Sequence, residues 1–81
     1  MMIEVNYLAT NDSDVPDGVN GIILSKDYES FSDFDKPECE DSLILQHGKS
    51  EGDTSIWEVR EVRRIILKNR DVYMIYCFMN K

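Results

Sequence analysis

The stretch at residues 72–79 (VYMIYCFM) constrains the fold of this chain more than any other. A strand with one face in solvent alternates apolar and polar side chains, whereas this run is apolar or aromatic at every position, as in a strand buried on both faces. The whole chain has 81 residues, and folding at that size hides roughly 60–68% of the surface the unfolded chain exposes. Such a strand therefore belongs in the middle of a small sheet, or its surplus apolar surface is covered by an oligomer.

The segment before it, residues 56–67 (IWEVREVRRIIL), supports two readings. As a helix, Ser55 and Glu58 have capping-box spacing, and Ile56, Val59, Val62, Ile66 and Leu67 fall within one arc, although Arg63 falls there too. As a strand, Trp57, Val59, Ile65 and Leu67 share a face that Glu61 and Arg63 interrupt, and a bulge near Arg60 or Glu61 mends the register. Five β-branched residues favour the strand. Asn69, Arg70 and Asp71 then form a three-residue connection, with Asn suited to left-handed geometry, and 56–67 with 71–79 becomes a long hairpin.

Upstream elements are shorter. Residues 2–9 alternate Ile3, Val5 and Tyr7 against Glu4 and Asn6, the pattern of a first strand. Residues 10–21 (TNDSDVPDGVNG) are dense in turn formers, with Pro16-Asp17-Gly18 as a turn and Asn20-Gly21 as a second turn signal. Residues 22–25 read as a short buried strand and 42–48 (SLILQHG) as another. Tyr28, Phe31 and Phe34, three apart, predict a short helix over 28–34 that ends before Pro37. The expectation is a single domain over 1–81: a β-rich α+β fold with a small, mostly antiparallel sheet of about five strands and one short helix.

Charge separates the two halves. Residues 1–41 hold 11 acids against Lys26 and Lys36, while 42–81 hold 5 acids and 7 bases, and the whole carries −7. A chain this acidic is repelled by nucleic-acid backbones and anionic membrane surfaces, so neither is an expected direct partner. No segment approaches the ~20 apolar residues of a membrane-spanning helix, and the first residues lack a basic, apolar leader. The reading is a soluble, cytoplasmic protein with reduced cysteines, although pairing of Cys39 with Cys77 is left open.

Candidate chemistry is thin. Asp12, Asp14 and Asp17 before Gly18 hint at a calcium loop, but counting from Asp12 places Pro16 at position 5, Asp17 at 6 and Ile23 at 12, which fails the pattern. Cys39 and His47 are formally a nucleophile–base pair, yet Glu38 and Glu40 flank the thiol and disfavour its thiolate. The lone His47 lacks the short-spaced partners of a zinc site. No two of the 16 acids are singled out as an acid–base pair. The reading is non-enzymatic, with no cofactor and no metal. Arg60, Arg63, Arg64, Lys68 and Arg70 are expected to pair with the acids of the first half or to form a solvated strand face.

The best functional candidate is residues 27–41, where seven acids and three aromatics alternate. Asp27, Tyr28, Glu29, Phe31, Asp33, Phe34, Asp35, Glu38, Glu40 and Asp41 suit a protein-binding surface: carboxylates steer a basic partner, and aromatic rings anchor it. Such a module would neutralise or regulate a nucleic-acid-binding enzyme by imitating a phosphate track, or serve as an immunity-type protein. The alternative is a structural or accessory subunit that assembles through its apolar C-terminal strand. A homodimer is compatible with both.

Overall fold

The computed structural model describes residues 2–16 and 18–79. Asp17, which both the proline–glycine turn and the calcium-loop count include, lies outside the described residues, as do Met1, Asn80 and Lys81. Five strands form one sheet: β1 (Met2–Ala9), β2 (Ile22–Tyr28), β3 (Ser42–Gln46), β4 (Thr54–Ile66) and β5 (Arg70–Phe78). Their spatial order is β2-β1-β5-β4-β3. The apolar run thus lies in the middle of the sheet, hydrogen-bonded on both sides, as its composition requires.

The sheet is mixed, which corrects the mostly antiparallel expectation. β1 runs parallel to β5, with Val5 opposite Tyr73 and Tyr7 opposite Ile75, while β1–β2, β4–β5 and β3–β4 are antiparallel. Parallel strands need a long crossover; here β2, β3 and β4 together supply it. The sheet coils until its edge strands β2 and β3 approach, and the result is nearly barrel-shaped.

The segment 56–67 is strand and not helix. β4 pairs with β3 over Thr54–Glu58 and with β5 over Glu58–Ile66, and the register with β5 shifts between Val59 and Glu61. Arg60 is the extra residue of this bulge. Before it, the odd-numbered Trp57 and Val59 face the core; after it, the even-numbered Val62 takes the inward place, opposite Ile75. That switch explains how Glu61 and Arg63 can interrupt the apolar alternation and still face outward. The hairpin connection falls at residues 67–69 rather than 69–71. Asn69 does not take left-handed geometry; among the described non-glycine residues only Glu40 does.

The expected helix over 28–34 does not form. Tyr28 closes β2, which runs three residues beyond its expected end, and a single 3-10 turn, η1 (Phe31–Asp33), is the only helical element among the described residues. Three acids, two serines and a proline within residues 29–37 (ESFSDFDKP) leave too few helix-favouring residues to offset the cost of nucleating a longer helix. β3 likewise ends at Gln46, before His47.

The core lies on the inner face. Ile3, Val5, Trp57, Val59, Ile75 and Cys77 are fully buried, joined by Ile23, Phe34, Leu45 and Tyr73. Each large side chain there contributes about 1.5–3 kcal/mol of burial free energy. The cysteines do not pair: Cys39 is exposed and Cys77 buried. Burial pushes the Cys77 thiol up to about 11, so it acts as a small apolar filler.

Candidate partner-binding surface

Residues 29–41 cross from the end of β2 to the start of β3, spanning the two edges of the sheet. Aromatic packing fixes the first half of this strap. The Tyr28 and Phe34 rings lie 5.2 Å apart, and Phe34 stands 5.0 Å from Tyr73 of β5, in the tilted geometry favoured by ring quadrupoles. Phe34 is therefore a core residue and cannot anchor a partner, which corrects its place among the binding candidates. Tyr28 is half-buried by the same stack, and the Tyr7 hydroxyl is pushed up to about 12, chiefly by burial and secondarily by Tyr28. Phe31 remains 42% exposed.

An ion pair between the exposed Arg64 and the buried Asp71 holds Phe31 from one side. Asp71 is 4% exposed, and its Oδ2 accepts hydrogen bonds from Arg64 Nε (3.2 Å) and Nη2 (2.6 Å). The hydrogen bond to Asp71 raises the Arg64 pKa above its ordinary value. The guanidinium lies 5.1 Å from the Phe31 ring centre and 5.8 Å from that of Tyr73, within cation–π range.

Backbone bonds fix the second half. The Asp41 carboxylate accepts from the Glu38 N–H (2.9 Å), and the Asp41 N–H donates to the Glu38 carbonyl (3.1 Å). The Glu40 N–H donates to the Val59 carbonyl (2.8 Å) beside the β4 bulge, and the Val59 N–H returns a bond to Asp41 (2.9 Å). Glu40 adopts φ 76°, a left-handed conformation that ordinarily favours glycine.

The carboxylates point outward. Asp27, Glu29, Asp33, Asp35, Glu38, Glu40 and Asp41 are all exposed, and none makes an ion pair among the described residues. The arginines of β4 pair locally instead: Arg60 with Glu58 (3.1 Å), Arg63 with Glu61 (3.0 Å) and Arg64 with Asp71. These ion pairs do not involve the acids of the first half, contrary to the first of the two expectations for them. Two of the three partners, Glu58 and Glu61, lie two residues away on β4 itself and the third, Asp71, lies on the neighbouring β5, and the bulge turns Arg60 and Arg63 to the outer face.

That outer face holds the features that the sequence reading missed. The Arg60 guanidinium lies 4.3 Å from the Phe78 ring centre, and Arg63 5.4 Å from that of Tyr76. Two shallow depressions flank Arg60: one of about 400 Å³ lined by Ser42, Ile56, Glu58 and Phe78, the other of about 310 Å³ lined by Ala9, Thr10, Asn11 and Tyr76. Beyond them, Ile44 and Ile56 face each other across β3 and β4 and are 70% and 64% exposed. The signal was present in the alternation of Met74, Tyr76 and Phe78, but without strand order nothing marked which face lacked cover.

The other candidate residues have separate structural partners. His47 Nδ1 lies 3.0 Å from Ser55 Oγ, which also accepts a 2.7 Å bond from the Trp57 indole N–H. Cys39 Sγ donates to the Arg60 carbonyl (3.5 Å). Thr10 donates to Asp12 (2.7 Å) and lowers the Asp12 pKa. Among the described residues no group of three His, Cys, Asp or Glu side chains is placed to hold a metal ion, and no helix is long and apolar enough to cross a membrane. No family model matches the chain, and neither the curated proteins nor the solved structures show a significant similarity to it.

Proposed function

We propose that the chain is a non-enzymatic, acidic protein-binding module that neutralises or regulates a partner with a basic surface. The observation that carries this reading is the strap with the end of β2 that leads into it: seven exposed carboxylates, Asp27 on β2 and six on the strap, without ion-pair partners among the described residues and held on a fixed backbone. Internal pairing would have cancelled that field, whereas unpaired carboxylates on a rigid track steer and orient a cationic partner. Glu40 adds support, because an acid occupies a backbone position where glycine would be less strained. A nucleic-acid-binding enzyme is the finer form of the proposal, since spaced carboxylates imitate a phosphate track.

The test is a comparison of two immobilised baits. One is the native chain; the other carries Asn or Gln at Asp33, Asp35, Glu38, Glu40 and Asp41. A basic protein retained by the native chain, released at moderate salt and absent from the amide bait supports the reading. Equal retention and equal salt dependence on both baits would sink it.

A second reading, an accessory subunit assembling through β5, is favoured by one observation. Among the described residues no second layer of secondary structure covers the outward side chains Met74, Tyr76 and Phe78, which meet the Asn6, Arg63 and Arg60 side chains respectively. Light scattering at micromolar concentration tests it: a monomer at every concentration counts against assembly.

A further inference from the structure

The sheet has two edges, and they differ in how they are protected. β2 carries the exposed charges of Lys26 and Asp27 within the strand, a usual guard against pairing with another chain. β3 (SLILQ) has no charge and no proline. Its hydrogen-bond parity follows from bonds at either end. The His47 N–H donates to the Asp53 carbonyl, and the Val59 N–H to the Asp41 carbonyl. The odd-numbered residues of β3 therefore face β4, and the backbone groups of Ser42, Ile44 and Gln46 point away from it, toward the free edge. β2 approaches this side but forms no ladder with β3.

Chemistry around that edge selects an occupant. Ile44 and Ile56 place an exposed apolar pair at its centre on the outer face. Glu38, Glu40 and Asp41 precede the strand, and Glu51 and Asp53 follow it, with Lys49 the single base between. Both flanks are thus net acidic. A second copy would set like charge against like charge in a chain of net charge −7.

We propose that the free edge of β3 is a strand-addition site for an extended segment of the basic partner, with an apolar residue over Ile44 and Lys or Arg toward both ends. Ladder bonds from Ser42, Ile44 and Gln46 hold the segment, and the flanking carboxylates select its charge. This rests on the acidic-module reading for the sign of the partner's charge, while the edge geometry stands independently.

The probe is a labelled heptapeptide, Lys-Arg-Thr-Val-Thr-Arg-Lys, alongside the same peptide N-methylated at the valine and both arginines. Methylation keeps side chains and charge but removes the ladder donors. The parent peptide is expected to bind and to slow hydrogen exchange at the amides of Ser42, Ile44 and Gln46. The methylated form is expected to bind weaker by about tenfold or more, as the loss of two or three ladder bonds implies. Ile44→Pro, which removes an edge N–H without touching a bond to β4, should keep the circular dichroism spectrum and lose the peptide.

Equal binding of both peptides overturns the edge site and leaves the acidic surface standing. Unchanged binding by the five-position amide variant removes the basic character assigned to the occupant and the acidic-module reading with it. Self-association that Ile44→Pro abolishes would make the occupant a second copy, against the proposal. No binding of the parent peptide at millimolar concentration also ends it.

Discussion

Arg64 shows how much one side chain can organise in so small a core. It satisfies the buried Asp71 carboxylate and lies over both Phe31 of the strap and Tyr73 of the core. Arg64→Ala would leave that carboxylate buried without its donor, an expensive state, and would release Phe31. The thermal midpoint should fall by several degrees, whereas Arg63→Ala, which breaks an exposed pair, should barely move it. Glu40 works in the opposite direction. Glu40→Gly relieves a left-handed backbone and should raise stability by about 1 kcal/mol in a urea titration, with weaker partner capture if its carboxylate matters. Little of this was legible in the residues themselves. The three-residue spacing of Tyr28, Phe31 and Phe34 identified rings that belong near one another, but not that an arginine 33 positions beyond Phe31 would hold that middle ring. The seven acids could be named from the sequence; their lack of ion-pair partners among the described residues could not, because that depended on where the arginines of β4 would find theirs.

Among the elements, the C-terminal hairpin was the most legible and the strap the least. Residues 72–79 announced a central strand by being apolar on both faces, and the Glu61–Arg63 interruption announced a bulge because no straight strand accommodates it. The helix over 28–34 was misread because three aromatics three apart also suit a bent segment whose outer rings stack on a neighbouring strand. Parallel pairing of β1 with β5 left no mark, since alternation along a strand says which face is buried and nothing about the direction of its neighbour. The loop between β3 and β4 is held more tightly than its composition suggests. A Cβ at Gly48 would stand 2.6 Å from the Asp53 Cβ, so Gly48→Ala forces the turn apart. It should cost about 1–3 kcal/mol of stability and be visible as a lower urea midpoint. Gly52, with no close neighbour beyond Ser50 at 3.9 Å, should accept alanine with little change.

For the whole molecule, the cost of burying ionisable groups appears at high pH. Tyr7 and Cys77 both have folded pKa values above their ordinary ones, about 12 against 10.0 and about 11 against 9.0. An acid whose pKa rises on folding binds more protons folded than unfolded, so stability is intact below the ordinary value and declines above it. The urea midpoint should therefore hold up to about pH 9 and fall progressively through pH 12. Cys77→Val should delay the onset by removing the earlier of the two groups. A flat profile to pH 11 would contradict the burial of Cys77 as described. The strand order carries a different consequence, for the moment of synthesis. β5 separates β1 from β4, so neither has its main neighbour until the last strand has been made. A ribosome releasing this chain holds the β2–β1 hairpin and the β3–β4 hairpin as two unjoined pieces with their apolar faces uncovered. Folding should thus come as one late event, when residues 70–78 clear the exit tunnel. A force-sensitive arrest peptide placed at increasing distances downstream should register a single pull at that length, with no earlier one.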